Sequence, residues 1–236
     1  MPDPIRLDKR VVELLRCSRA EAQHYIEGGW VSVDGRVVET PQTLVGAERV
    51  EIAAEAAPEA AEPATLLLNK PVGSDPAATA ALLSPQARAE SDDSGVRLLQ
   101  RHFQRLVPLM PLDDDASGLV VFSQDWRVRR RLEEDLATIE QEYVVEVEGQ
   151  AGPWALAKLG HGLRYQGRVL APCKVSWQSE NRLRFAIKHV QPGQLRQMCR
   201  EVGLEATGIR RLRIGRIGLS KMPVGQWRYL APGQRF

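Results

Sequence analysis

Cysteine and long apolar runs are both scarce in this sequence, and each scarcity argues against a class of protein. The 236 residues include three cysteines (Cys17, Cys173 and Cys199), which are too few and too scattered for a disulfide framework or a cysteine-rich zinc site. No apolar run approaches the roughly 18 residues of a membrane-spanning helix, and the first residues lack the apolar stretch of a secretory signal. We therefore expect a cytoplasmic protein with free thiols and no membrane partner.

Acidic residues are scarce in the last third of the chain. Residues 151–236 hold 16 Lys and Arg but only three Asp and Glu, whereas residues 65–150 hold nine and 15. Such an excess of positive charge favours a polyanionic partner. A solvated basic face without a ligand is the alternative. We favour the partner because few acids lie within this segment to neutralise its field.

Residues 53–64 read AAEAAPEAAEPA and contain no Leu, Ile, Val or aromatic residue. A segment without such side chains cannot contribute to a core, and its composition is typical of a linker. We therefore expect three parts: a small unit over residues 1–52, a linker over residues 53–64 and a larger unit over residues 65–236.

The small unit carries helix and turn signals in a fixed order. Apolar residues recur at helical spacing from Leu7 onward. Ser18 and Glu21 then form the pattern of a capping box at the start of a second helix. Gly28-Gly29 is suited to end that helix, and Asp34-Gly35 predicts a tight hairpin between short strands. A final strand is expected at Val50 to Ile52.

The order of these signals resembles the S4 RNA-binding domain, in which two helices present basic side chains to RNA. The resemblance implies RNA contacts from cations on or between the two helices. The matching positions are Lys9, Arg10, Arg16 and Arg19. Surface charge without a ligand is the alternative, since the unit as a whole is slightly acidic.

The larger unit mixes helix and strand patterns without a regular βαβ repeat. This mixture predicts an α+β fold with a mixed, mainly antiparallel sheet. Helical spacing is expected at Leu98 to Leu106, Trp126 to Leu136 and Leu195 to Val202. Strands are expected at Leu66 to Leu68, Leu119 to Phe122, Tyr143 to Val147, Arg182 to Ile187 and Arg213 to Leu219.

Three short segments of the larger unit carry residues suited to chemistry. Residues 108–119 place Asp113 in a turn before Ser-Gly and an apolar strand. Residues 141–147 form a strand with an exposed-looking Tyr143, and residues 191–200 place Arg196 in the first turn of a helix. Together, and in this order, they resemble the three motifs of pseudouridine synthases. The resemblance is to the RsuA-like group, which modifies ribosomal RNA, and it extends along nearly the whole chain.

The resemblance implies a role for each of these residues. Asp113 matches the nucleophile, and Tyr143 matches the tyrosine that stacks on uracil and is suited to proton transfer. Arg196 matches the guanidinium that keeps the nucleophile ionised, because burial alone would favour the protonated acid. Leu219 is our choice for the apolar residue lining the base pocket. The family requires no cofactor, and we expect none.

RNA is the partner that the resemblance implies. Large-subunit ribosomal RNA is favoured, with small-subunit or transfer RNA as alternatives, and we expect a monomer. Phosphate contacts are expected from the basic last third. Lys70 could contact RNA near the site, and a lysine that merely ends a strand is the alternative that its position favours. The candidates in the last third are Arg210, Arg211, Arg213 and Arg216.

The sequence also departs from the family motifs. Met110-Pro111 stands where the family has Gly-Arg, Ala116 replaces a threonine-like residue, and Gln197 replaces a second arginine. These departures leave open a non-catalytic RNA-binding protein, for example one that assists ribosome assembly. Asp113 to Asp115 also leave open a metal-dependent phosphoryl-transfer enzyme or nuclease. His24, His102, His161 and His189 lack metal-ligand spacing, and we expect no metal site.

Overall fold

The computed structural model describes residues 3–236, and its backbone divides into two compact units. The first comprises the chain up to Pro63 together with Arg97–Gln104, and the second comprises Ala64–Val96 and Arg105–Phe236. Residues 53–64, all of them described, form neither helix nor strand. Residues 97–104, which the sequence analysis assigned to the larger unit, group with the first unit instead.

The first unit packs two helices against short strands. Its elements are β1 (Ile5–Arg6), α1 (Leu7–Leu15), α2 (Arg19–Glu27), β2 (Val31–Val33), β3 (Arg36–Val37), β4 (Leu44–Val45) and β5 (Val50–Ile52). The capping box is confirmed, because the Ser18 hydroxyl accepts from the Glu21 N–H while the Glu21 carboxylate accepts from the Ser18 N–H. The hairpin between β2 and β3 and the strand β5 are confirmed as well.

Residues 97–104 lie against the rest of the first unit. The Gln100 N–H donates to the Glu39 carboxylate at 2.9 Å, and Arg101 forms an ion pair with Glu27. The Arg97 guanidinium lies 3.7 Å from the centre of the Trp30 ring. The expected helix from Leu98 to Leu106 is wrong, since only a 3-10 helix at Gln100–Phe103 forms. The Glu39 carboxylate accepts hydrogen bonds from the N–H groups of Gln100 and Arg101 at the start of this short helix.

The second unit contains eleven strands, nine of which form one large sheet and two of which pair separately as a short hairpin. Its strands are β6 (Thr65–Lys70), β7 (Val107–Leu109), β8 (Ala116–Ser123), β9 (Glu140–Gly149), β10 (Arg164–Tyr165), β11 (Arg168–Val169), β12 (Lys174–Ser179), β13 (Arg182–Lys188), β14 (Leu204–Ile214), β15 (Ile217–Gly218) and β16 (Trp227–Tyr229). Its helices are α3 (Pro76–Ala81), α4 (Trp126–Glu134), α5 (Ala155–Gly160) and α6 (Gln194–Arg200), with a 3-10 helix at Pro85–Ala87.

Among the described residues this sheet has nine strands, in the order β12-β13-β9-β14-β8-β6-β16, with β15 beside β14 and β7 beside β8. β8 and β14 run parallel, and the other pairs in the sheet are antiparallel. The expected mixed, mainly antiparallel sheet is confirmed. The expected strand from Arg213 to Leu219 is wrong in its bounds, because β14 ends at Ile214 and the chain turns there into β15.

Gly118 explains the Ser-Gly-Leu part of the first motif. Its φ is +101°, and a Cβ at this position would lie 2.2 Å from the Arg211 carbonyl oxygen. Such an overlap cannot be relieved without moving backbone, so only glycine lets β8 approach β14 this closely. The motif glycine therefore sets the register that brings Arg211 beside the turn of Asp113.

Within residues 3–236, no helix is both long and apolar enough to cross a membrane.

Candidate functional site

A cleft of about 410 Å³ opens on the second unit. Its walls come from the turn after β7, the start of β9, the segment before α6, the end of α4 and the middle of β14. Apolar side chains supply much of the lining, among them Leu112, Leu132, Leu136, Leu195 and Ile209. Its polar lining includes Asp113, Gln141 and Arg211, and apolar walls with a few polar groups are typical of a site for a small ligand.

Asp113 lies in this cleft, half-buried in the turn between β7 and β8. Its Oδ2 accepts a hydrogen bond of 3.0 Å from the N–H of Gly193. Gly193 has a φ of 72° and precedes the first turn of α6. The positive φ favours glycine, and it directs this N–H toward the carboxylate. The first and third motifs therefore meet through a backbone contact.

Lys70 holds the turn that carries Asp113. Its Nζ donates to the carbonyl oxygens of Asp114 at 2.9 Å, Ala116 at 2.8 Å and Asp113 at 3.3 Å. Burial lowers the pKa of Lys70, and the charges of the three neighbouring aspartates oppose that shift. The expectation that Lys70 contacts RNA is not met here, because the residue is 3% exposed and its ammonium is directed at protein carbonyls.

Tyr143 lines the cleft but is 2% exposed, so its expected exposure is wrong. Its hydroxyl donates to Gln141 Oε1 at 2.8 Å. The same oxygen accepts from Arg211 Nη1 at 3.2 Å. Gln141 was missed in the sequence analysis, although its spacing of two from Tyr143 places both side chains on one face of β9.

Arg211 is buried at 1% exposure and lines the cleft. Its Nε donates to the Leu119 carbonyl at 2.7 Å and its Nη2 donates to the Met110 carbonyl at 2.6 Å. Met110 has a φ of 50°, at the position where the family motif has glycine. The expected phosphate contact by Arg211 is therefore replaced by a structural role at the cleft floor.

Arg196 is placed differently from the expectation. Its Nη2 forms an ion pair of 2.6 Å with Asp115, and its Nη1 donates to the Ala206 carbonyl at 2.8 Å. The structure thus brings Asp113 and Tyr143 to one cleft, whereas Arg196 is not part of the lining and contacts the acid two residues further on. The acidic run made this choice of partner impossible to read from spacing.

Leu219 is not part of the cleft lining. It is 3% exposed and belongs to a core cluster with Leu67, Ile217 and Met222. Our choice of Leu219 for the base pocket is therefore corrected, and Leu195 and Ile209 are among the aliphatic residues that line the cleft.

The basic last third is partly neutralised by acids from β9. Arg213 pairs with Glu140 at 2.7 Å and Glu142 at 3.1 Å, and Arg184 also pairs with Glu142. Hydrogen bonding from Arg184 lowers the pKa of Glu142. These acids lie far from the arginines in sequence. The surface formed by the last third of the chain is therefore less basic than the sequence of that segment suggests. Arg210 and Arg216 are exposed to solvent.

The four candidate cations of the first unit have different surroundings. Lys9 and Arg16 are exposed. Arg10 pairs with Glu13, and Arg19 pairs at 3.1 Å with Asp8, which is fully buried. Burial would raise the pKa of Asp8, but hydrogen bonds from Arg6 and Arg19 lower it. Arg19 therefore supports the fold of this unit as well as offering charge at its surface.

Within residues 3–236, which the structure describes, no group of three or more His, Cys, Asp or Glu side chains could hold a metal ion.

Comparison with known proteins adds the following likenesses. The S4 domain model matches residues 5–50. The chain is 29% identical over 227 residues to "Dual-specificity RNA pseudouridine synthase RluF" of Salmonella typhi, covering 95% of this chain and 75% of that protein. It is 28% identical over 238 residues to "Ribosomal large subunit pseudouridine synthase B" of Bacillus subtilis (strain 168), covering 96% and 92%.

Among solved structures, one described as "Crystal structure of pseudouridylate synthase" aligns with a TM-score of 0.58. The sequences are 20% identical, and the match covers 96% of each chain. This likeness shows a shared fold. The expected S4 domain and the expected resemblance are both confirmed.

Proposed function

We propose that this chain, an S4-bearing member of the RsuA-like pseudouridine synthases, isomerises a uridine of ribosomal RNA to pseudouridine with Asp113 as the nucleophile. One observation carries the proposal: the Asp113 carboxylate and the Tyr143 ring line a single cleft of about 410 Å³, which is large enough for an extruded nucleobase. The target base leaves its stack to reach Asp113, and flipping costs least in loops and unpaired segments.

The reaction is an isomerisation and needs no external reactant. The Asp113 carboxylate bonds to the sugar, and the bond between the sugar and N1 of uracil breaks, so that uracil leaves as an anion. The detached uracil turns within the cleft, and its C5 bonds to the sugar as the bond between the sugar and Asp113 breaks. C5 then loses its proton and N1 gains one, so atoms and charge balance. Lys70 fixes the carbonyls of the Asp113 turn and Gly193 fixes one carboxylate oxygen, so the nucleophile is oriented before RNA binds.

RNA binding would combine the first unit with surface cations of the second. Lys9 and Arg16 on the first unit, and Arg210 and Arg216 on the second, are exposed and suited to phosphate contacts. The name of the Bacillus subtilis relative favours large-subunit ribosomal RNA, and small-subunit ribosomal RNA and transfer RNA are the alternative substrates. We propose the large-subunit RNA first.

The test is pseudouridine mapping on total RNA from a strain that lacks the gene. We expect at least one site to disappear, to return with the wild-type gene and with Asp114→Asn, and to stay absent with Asp113→Asn. Asp114 is an exposed neighbour in the same turn and serves as the matched control.

The same experiment separates the alternatives. A map that is unchanged by the deletion would contradict the proposal and favour the non-catalytic RNA-binding protein. Restored sites with Asp113→Asn would overturn the role of this carboxylate while leaving the enzyme class in place. For the purified enzyme, conversion that survives a chelator would exclude a dissociable metal as the catalyst.

A further inference from the structure

Gln141 carries a fixed amide at the floor of the cleft. It is 1% exposed and lines the cleft beside Tyr143 and Arg211. Both hydrogen bonds that reach its side chain from these neighbours end on Oε1, from the Tyr143 hydroxyl at 2.8 Å and from Arg211 Nη1 at 3.2 Å.

This network decides which way the amide faces. Arg211 is a donor in every protonation state relevant here, and it is anchored by the carbonyls of Leu119 and Met110. Turning the amide over would direct its NH2 group at that guanidinium, and Arg211 Nη1 would keep only its longer contact of 3.4 Å with the Tyr143 hydroxyl. Oε1 is therefore held inward, and the Nε2 group is the side of the amide that remains for a ligand in the cleft.

We infer that Gln141 Nε2 donates a hydrogen bond to the C4 carbonyl oxygen of uracil as the base first binds, and thereby selects uracil over cytosine. This inference rests on the proposed function. Uracil carries carbonyl oxygens at C2 and C4, whereas cytosine carries an amino group at C4. A fixed donor meets an acceptor in uracil and another donor in cytosine, and a buried mismatch of two donors is costly.

The symmetry of uracil gives this donor a second use. Turning the ring half a revolution about the line through N3 and C6 brings C5 to the former place of N1 and exchanges the two carbonyl groups. One fixed N–H can therefore serve C4=O before the ring turns and C2=O afterwards. Gln141 would hold the detached base both before and after it turns.

Two variants of Gln141 test the inference on a synthetic stem–loop that carries the mapped uridine. Gln141→Glu keeps an acceptor for Tyr143 and Arg211 but replaces the amide donor with a carboxylate oxygen. We expect its kcat/KM to fall by about a hundredfold, because two acceptors now face each other. Gln141→Met removes both the amide donor and the amide acceptor and should lower kcat/KM by about tenfold.

The base preference gives a readout that a general loss of stability would not move. A stem–loop with cytidine at the target position serves as a competitive inhibitor. Wild type should bind it more weakly than the uridine stem–loop, by about tenfold. Gln141→Glu should bind it as well as or better than the uridine stem–loop, because a carboxylate accepts from the cytosine amino group. Gln178→Met, an exposed position on the edge strand β12, is the matched control and should behave as wild type.

Thiocarbonyl analogues test the contact itself, since sulfur is a weak acceptor. Placing 2-thiouridine or 4-thiouridine at the target should slow wild type by about three- to tenfold in at least one case, and should slow Gln141→Met by no more than twofold. Equal slowing of both enzymes, or an unchanged base preference in Gln141→Glu, would overturn the inference. If wild type converts no RNA, the proposed function fails instead, so the two failures are distinguishable.

Discussion

An arginine lies on each face of the paired strands β9 and β14, and the two arginines have different surroundings. On the inner face, Arg211 is 1% exposed and joins Gln141 and Tyr143 at the cleft floor. On the outer face, the Arg213 side chain is 30% exposed and pairs with Glu140 and Glu142. The inner arginine is held by neutral acceptors beside a binding site, and the outer one by carboxylates in contact with water.

A β-bulge separates these two arginines. Arg211 lies opposite Tyr143 and Arg213 lies opposite Glu142, so β14 has one more residue than β9 over this interval. Without the bulge, a spacing of two would direct both arginines to the same face. The extra residue turns Arg213 to the outer face. The role of a charged residue in a strand is therefore set by the register of the strand and by burial.

Replacing each arginine by methionine should separate the contributions of the two residues to stability. Arg211→Met leaves the Leu119 and Met110 carbonyls and Gln141 Oε1 short of a buried donor, and should lower the free energy of unfolding by about 3 kcal/mol. Arg213→Met breaks partly exposed ion pairs and should cost about 1 kcal/mol or less. Urea unfolding of both variants measures the difference.

The same two substitutions should also differ in their effect on catalytic activity. Arg211→Met should lose most of its conversion of the mapped uridine, because the amide and the tyrosine hydroxyl lose their anchor. Arg213→Met should keep its kcat. Equal losses of stability and of kcat in the two variants would show that the faces do not differ as described.

Lys70→Met is expected to have the next largest effect. Its Nζ is shared among the carbonyls of the Asp113 turn, so its removal should cost about 2 kcal/mol of unfolding free energy. Loosening of this turn should lower kcat more than it raises KM, because the nucleophile is misplaced after RNA has bound. A variant whose only defect is weaker RNA binding would contradict the positioning role.

Glu142→Gln is expected to have the smallest effect on the free energy of unfolding, and that effect should depend on pH. Hydrogen bonds from Arg184 and Arg213 hold the pKa of Glu142 below its ordinary value of 4.5, against a smaller opposing effect of burial. A lowered pKa contributes stability that is present above 4.5 and is lost as the pH falls through the folded-state value. We expect the free energy of unfolding of wild type to exceed that of Glu142→Gln by less than about 1 kcal/mol at neutral pH.

Unfolding titrations of both proteins from neutral to acidic pH check this expectation. The difference between them should shrink toward zero in acid. A difference that stays constant with pH would mean that the pairing with Arg184 and Arg213 does not depend on the Glu142 charge.

Local signals in the sequence were sufficient for much of the fold. The capping box at Ser18 and the Asp34-Gly35 hairpin depend on residues a few positions apart, and both were predicted. The turn of Asp113 was predicted for the same reason. Gln141, the roles of Lys70 and Arg211, and the ion pair of Arg196 depend on strands that meet from distant parts of the chain, and a bulge that no local pattern reveals decides which face Arg213 occupies.

The rate of uridine conversion by purified Asp113→Asn, measured in a single turnover beside Asp114→Asn, tests the central claim most directly. The two substitutions remove the same charge from adjacent residues of one turn, and only Asp113 lines the cleft. We predict that Asp113→Asn lowers the rate by at least about a thousandfold, while Asp114→Asn stays within about threefold of wild type. Comparable rates for the two variants would contradict the claim.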